Sequence, residues 1–346
     1  RVSAMKLRLG IALLLLASLL TPNAFANPYL LKPGERLTAI RLGTSAVSGG
    51  FMHLYAALDY GIFEKYGFKT EHIYIRGQSP ALAALANDEL QFNYGAAEGS
   101  LPGLAAGVEV KVVASPLVKL PYILVGRKDI RRPEDLKGKS IGVTRPGDLS
   151  ARLSRAVLKK FGLTTDEVII RPIGGSQTER YQAMLGNVVQ AILVTPPLDV
   201  RAKQDGFNVI YRLIELEIPF IYSSLMTNYK MLRDRPDVVQ RMVAALAESV
   251  YFVDKNPDKA KAAVAKAMRV KDEEALQTSY NVYAKEIVDR TMVVPANSVR
   301  EAVEIARDTG TIVRRKPEEL YDNSFVNNLE KSGFLKELWG NENYRR

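Results

Sequence analysis

The chain has 346 residues, with 48 lysines and arginines against 38 acidic residues, a net charge of +10 and no cysteine. Without cysteine there are no disulfides, no thiolate metal sites, no thiol nucleophile and no acceptor for a lipid anchor. Two histidines, His53 and His72, leave little scope for catalytic or metal chemistry, and no HExxH, GxSxG, Walker A or GxGxxG pattern occurs. The positive charge is spread rather than gathered in a block, which fits anionic ligands or plain solubility and carries no nucleic-acid motif.

The first elements read as an export signal. Met5, Lys6 and Arg8 open a basic start, residues 11–20 are almost wholly apolar, and Ala24-Phe25-Ala26 supplies a small-x-small cleavage site. Such a run is too short to span a bilayer as a lasting anchor, so residues 1–26 are expected to be a signal peptide. It carries Arg1, Lys6 and Arg8 and no acid, so its removal takes the charge from +10 to +7.

From there the chain repeats one unit. A strand over 37–42 runs into the loop Gly43-Thr-Ser-Ala-Val-Ser-Gly-Gly50, and a helix over 51–60 stops at Gly61. His53 falls in the apolar run of that helix, with Phe51, Leu54, Tyr55 and Leu58, and reads as a packed residue. A strand over 68–75 ends in Gly77-Gln78-Ser79, and Pro80 suits the first helical position. Further strands are expected over 90–94, ending in the tip Gly95-Ala96-Ala-Glu-Gly99, and over 109–115. After an extended segment at 122–126 the pattern begins again. A strand over 140–143 leads through Thr144-Arg145-Pro146-Gly147-Asp148 into a helix with Leu149, Leu153, Val157 and Leu158 on one face. Strands over 168–173 and 189–194 end in Gly174-Gly175-Ser176-Gln177 and in Thr195-Pro-Pro197.

Strands alternating with helices in this rhythm form a mostly parallel sheet, whose ligands bind beyond the carboxyl ends of the strands. The segment Leu85-Ala-Asn-Asp-Glu-Leu-Gln91 is echoed by Met184-Leu-Gly-Asn-Val-Val-Gln190, an offset of 99 that points to two similar α/β units. A second extended segment at 218–227 leads into a helical stretch, expected over 236–254, 257–267, 272–289, 298–310 and 323–332. The expected organisation is therefore lobe 1 from 27–122 and 222–346, lobe 2 inserted at 123–221, and a two-stranded hinge between them. At the tip of the 140–143 strand, Thr144 and Arg145 face the positive end of a helix and are expected to hold an anion, with Gly147 and Asp148. The competing expectation is that Asp148 caps the helix and takes Arg145 as its own partner.

These features resemble the periplasmic solute-binding proteins of ABC importers, in the nitrate, sulfonate and taurine branch that shares its fold with thiamine-pyrimidine synthases. The resemblance rests on Tyr60-Gly-Ile-Phe-Glu-Lys-Tyr-Gly67, Leu136-Lys-Gly-Lys-Ser-Ile-Gly-Val143, Gly174-Gly-Ser176, Gln190-Ala-Ile-Leu-Val-Thr-Pro-Pro197 and Leu329-Glu-Lys-Ser-Gly-Phe334, in that order. It implies a two-lobed type II periplasmic binding fold of class α/β, with mixed, mostly parallel sheets, flanking helices and the C-terminal helical part packed on lobe 1. It implies ligand contacts from Ser45, Ser48, Gly49 and Gly50; from Gln78 and Ser79; and from Gly95 and Ala96. The second half would add Thr144, Arg145, Gly147 and Asp148; then Gly175, Ser176 and Gln177; and finally Thr195. Tips of this kind offer backbone amides and hydroxyls, which bind polar oxygens and do no acid–base work.

The function implied is capture of a small anionic organic solute, of sulfonate, taurine, nitrate or carboxylate class. The protein would be periplasmic and monomeric and would deliver the solute to an inner-membrane permease, with no cofactor, metal, catalytic residue or nucleic acid. A synthase-like enzyme on the same fold and a ligand-sensing partner of a membrane receptor are the alternatives. Exported protein is expected to begin at Asn27; an intact mass that retains residues 11–20 would overturn the assignment of the signal.

Overall fold

The computed structural model describes residues 27–146, 149–174, 176–218, 220–308, 310–340 and 344. The expected signal peptide, Gly147, Asp148 and Gly175 lie outside these. Two five-stranded sheets organise the chain. The first has the order β2-β1-β3-β10-β4, from β1 (Thr38–Thr44), β2 (Phe68–Tyr74), β3 (Phe92–Gly95), β4 (Val110–Leu117) and β10 (Ser223–Asn228). The second has the order β7-β6-β8-β5-β9, from β5 (Ile123–Gly126), β6 (Ser140–Val143), β7 (Ile169–Pro172), β8 (Ala191–Val194) and β9 (Asn208–Arg212). In each sheet four strands run in one direction, and the fourth in spatial order runs antiparallel to both its neighbours. Strands such as Ile123–Gly126 and Ala191–Val194 are apolar and buried throughout, as sheets covered by helices on both faces require.

The offset of 99 is structural. Gln91 donates its backbone amide to the Arg41 carbonyl at 3.0 Å, while its side-chain oxygen accepts from the Arg41 amide at 3.0 Å. Gln190 repeats this on Ser140, with its amide on the carbonyl at 3.1 Å and its side-chain oxygen on the amide at 3.1 Å. Three residues before each glutamine the chain takes a left-handed turn, at Asp88 (φ 62°) and Asn187 (φ 60°). Asp and Asn tolerate that conformation better than most side chains. In both halves the same bracket holds the central parallel strand, at Arg41 in the middle of β1 and at Ser140 at the start of β6.

The C-terminal helices cover the first sheet. Pro236–Lys255 buries Val239, Met242, Val243, Leu246 and Val250 in one cluster with Ile40, Leu42 and Phe92. On the other face Val299 and Val303 of the helix Ala296–Asp308 join Leu85, Leu104 and Val112. One helical expectation is corrected. The stretch 272–289 is the helix Glu273–Tyr280 followed by a π-helical turn, Asn281–Glu286. The wider turn carries Val282, Tyr283 and Ile287 into the cluster beneath the second sheet, with Leu117, Leu124 and Leu193.

The chain passes between the sheets over 118–122 and 213–222, a few residues upstream of both expected crossings, because Ile123–Gly126 and Ser223–Asn228 are themselves sheet strands. The two passages hold each other. Phe220 donates its amide to Val118 at 3.0 Å, Tyr222 to Leu117 at 2.9 Å and Leu213 to Tyr122 at 2.9 Å.

The glutamine bracket makes a measurable prediction. Replacing Gln190 by Ala leaves the enclosed Ser140 amide without its side-chain acceptor, and Ser140 is buried. Urea unfolding should show a loss of about 1–3 kcal/mol; a midpoint equal to that of the parent would show that the bracket is dispensable.

Candidate ligand-binding site

A cavity of about 640 Å3 lies between the carboxyl edges of the two sheets, well within the size range of small-molecule sites. The first sheet's side contributes Ala46, Val47, Ser48, Phe51 and Ala96, and the passages contribute Tyr122 and Tyr222. The second sheet's side contributes Ser176, Gln177, Thr178, Thr195, Pro196, Pro197, Leu198, Val200, Arg201 and Gln204. Met268, Val270, Asp272 and Ala275 of the C-terminal helices close the rim. The wall is thus mostly apolar and aromatic, with hydroxyls and carboxamides concentrated on the second lobe.

Each wall element has a local cause. Ser48 caps the short 3-10 turn Gly49–Phe51, accepting from the Gly50 amide at 3.1 Å, and its hydroxyl lies 3.3 Å from that of Tyr222. A side chain on Gly49 would meet the Tyr283 ring at 2.8 Å, and one on Gly50 would run into the Tyr222 ring. Those rings stack on each other at 5.9 Å and 14°, so neither can readily give way. Tyr283 also donates its hydroxyl to the Pro196 carbonyl at 3.1 Å, tying the π-helical turn to the second lobe's wall. On that lobe Ser176 caps the helix Gln177–Leu185 in a capping box with Glu179. The Gln177 carboxamide accepts from the Thr195 amide at 2.8 Å and donates to its hydroxyl at 3.2 Å.

Of the residues expected from sequence, Ser48, Ala96, Ser176, Gln177 and Thr195 stand on this wall. Gly49 and Gly50 lie behind it, against the tyrosine pair. Gly95 is buried beside Ser45, and Ser45 donates to the Gln78 carboxamide at 2.5 Å, so both polar side chains brace the loops rather than line the cavity. Ser79 and Arg145 are exposed and off the wall. Thr144 is engaged from two sides: its amide donates to Ser150 at 2.9 Å and its hydroxyl accepts from Arg180 at 2.7 Å. Gly147, Asp148 and Gly175 are outside the described residues.

Several wall and near-wall residues were not singled out from sequence. Tyr122 and Tyr222 flank the cavity edge to face at 6.2 Å; a tyrosine at each passage was their only signal. Arg152 pairs with Glu98 from the opposite sheet, and Arg180 is buried. Burial pushes the Tyr122 phenol well above its ordinary range; Tyr222 and Glu98 add to the shift, and Arg180 and Arg152 oppose it. At the rim, Asp272 caps the helix Glu273–Tyr280 through the Ala275 amide at 2.8 Å and accepts from Gln204 at 2.8 Å. These bonds hold its carboxyl below the usual range.

Among the described residues no cluster of potential metal ligands occurs, and no helix is long and apolar enough to cross a membrane.

The geometry can be set beside known proteins. A family model described as NMT1/THI5 like matches residues 49–260. A binding protein of Brucella abortus (strain 2308) is 25% identical over 246 residues, 69% of this chain and 74% of that one. Among solved structures, the periplasmic aliphatic sulphonate binding protein of Escherichia coli superposes with a TM-score of 0.67 at 16% identity, covering 82% of this chain and 96% of that one. The ligand binding component of an ABC-type import system from Staphylococcus aureus gives 0.69 at 13% identity, covering 84% and 98%. A desulfurization enzyme, DszB, shares the architecture too, at 0.63 and 16% identity, covering 85% and 99%. At these identities the structural likenesses establish the periplasmic binding protein fold. By the family match across most of its length, this chain belongs to the NMT1/THI5-like family.

Proposed function

We propose that the chain is the periplasmic solute-binding component of an ABC-type importer, which captures a small anionic organic solute between two lobes and hands it to an inner-membrane permease. Lobe 1 would comprise residues 27–122 and 222–346, and lobe 2 residues 123–221. The observation that carries this reading is the cavity itself: its wall is drawn from both sheets and both passages, so a solute within it touches every part that must move. The named functions of the Staphylococcus aureus and Escherichia coli structures support the same reading. The solute would place an apolar body against Phe51, Tyr122 and Tyr222 and polar atoms toward Ser176, Gln177 and Thr195. Nitrate would leave the aromatic part of the wall unused, so an organic sulfonate or carboxylate fits better.

An enzyme is the second reading, favoured by the likeness to DszB. That enzyme has also been solved as a Cys-to-Ser mutant with biphenyl-2-sulfinic acid, whereas this chain has no cysteine. His53, fully buried, has its pKa lowered to about 4 by burial and is remote from acid–base duty. Binding without conversion is the simpler account.

Two measurements test it. A thermal-shift panel of sulfonates, taurine and carboxylates should yield a stabilising solute, and small-angle scattering should then show a smaller radius of gyration with that solute than without. An unchanged radius at saturation would count against lobe closure, since a solute favours one state only through its differential affinity. Mass spectrometry of the same solute after long incubation with pure protein should show it unaltered; product accumulating with time would favour the enzyme.

A further inference from the structure

Part of the cavity rim comes from beyond the last sheet strand in sequence. Met268, Val270, Asp272 and Ala275 lie where the helix Pro257–Met268 turns into the helix Glu273–Tyr280. Both helices belong to the first sheet's side, since Ala260, Val264 and Leu276 are buried in the cluster that holds Ile40 and Leu42. Across the cavity stands the helix Leu198–Gln204. Its Ala202 is buried with Ile123 and Ile192 of the second sheet, and its Gln204 lines the same cavity.

The turn between the two helices has a fixed shape. Arg269 takes the left-handed conformation (φ 56°) that ends the first helix, and the Val270 amide donates to the Ala265 carbonyl at 3.2 Å. Arg269 itself is exposed, while Met268 and Val270 on either side of it are half-buried and line the cavity. Asp272 uses its two oxygens differently. One accepts from the Ala275 amide at 2.8 Å and starts the second helix; the other accepts from the Gln204 carboxamide at 2.8 Å and spans the mouth of the cavity. Both Asp272 and Gln204 are exposed. A hydrogen bond open to water exchanges readily with water, so this one can hold the mouth without locking it.

We infer that this turn is the lid of the cleft: the Asp272–Gln204 bond latches it, and Met268 and Val270 are specificity-determining residues that select a solute with an apolar end. The inference rests on the solute-binding reading and narrows the class of solute. An apolar body laid against Met268 and Val270 takes both further out of water, and it does so only while the lid is latched. Each methylene under the lid therefore favours the latched state through its differential affinity. A compact anion such as nitrate gives the lid nothing to cover.

The chain has no cysteine, so the exposed neighbours of the latch, Lys203 and Lys271, can be made its only thiols. Nitroxide labels on K203C/K271C, read by pulsed electron spin resonance with no solute added, should show a short-distance population from the latched mouth. Q204A should lower the ratio of that population to the longer distances by about twofold to tenfold. D272S, which keeps a helix cap but has too short a side chain for Gln204, should do the same. A distribution that neither substitution shifts would overturn the latch. In calorimetric titration V270S should weaken the binding of hexane-1-sulfonate by about threefold to tenfold and that of ethanesulfonate by less. Equal losses for the two would overturn the selection. Binding of neither by the parent would overturn the selection together with the sulfonate reading, while a shift of the label distances with Q204A would leave the latch standing.

Discussion

Two backbone hydrogen bonds, from Phe220 to Val118 and from Tyr222 to Leu117, hold the two inter-sheet passages side by side as a short antiparallel ribbon. Much of the cleft takes its register from this ribbon. It places Tyr222 where it stacks on Tyr283, and that stack leaves room only for glycine at positions 49 and 50. The glycines let the loop after β1 lie flat against the rings, and Ser48 then caps the following turn at the cavity edge. A larger residue at either position would push the loop into the cleft or part the rings.

The second lobe reaches the same end by different means. Its wall is built from the ends of two segments that clasp each other, Gln177 with the amide and hydroxyl of Thr195, so the polar surface is preorganised before anything binds. The first lobe offers mainly apolar and aromatic surface. A solute with distinct polar and apolar ends would therefore be oriented by the asymmetry between lobes.

Much of this was legible in the chain. The alternation of strands and helices follows from short apolar runs separated by glycine-bounded turns, and the echo around Gln91 and Gln190 marks a bracket that both sheets use. Ser48, Ala96, Ser176, Gln177 and Thr195 were legible because they follow strands directly, where sheet geometry points loops toward ligands. Arg152, Arg180 and Glu98 were not, because a charged residue on a helix or turn looks like solvated surface until the opposite lobe is placed. The π-helical turn was hidden for another reason. Leu276, Tyr280, Tyr283 and Ile287 keep ordinary helical spacing, so nothing local announces that Tyr283 leaves for the other lobe.

The position of β10 has a consequence for how the chain comes together. This strand, the last in sequence, lies between β3 and β4 and pairs with both. The first sheet therefore cannot close until more than a hundred residues beyond β4 have been made, while the second sheet draws all its strands from one contiguous stretch. Closure of long-range pairings is slow, because loop entropy is lost before contacts reward it. Until then β3 and β4 keep open edges and the core of the first sheet is incomplete. A chain wired in this way delays its own compaction until β10 has emerged, however early the second sheet is complete.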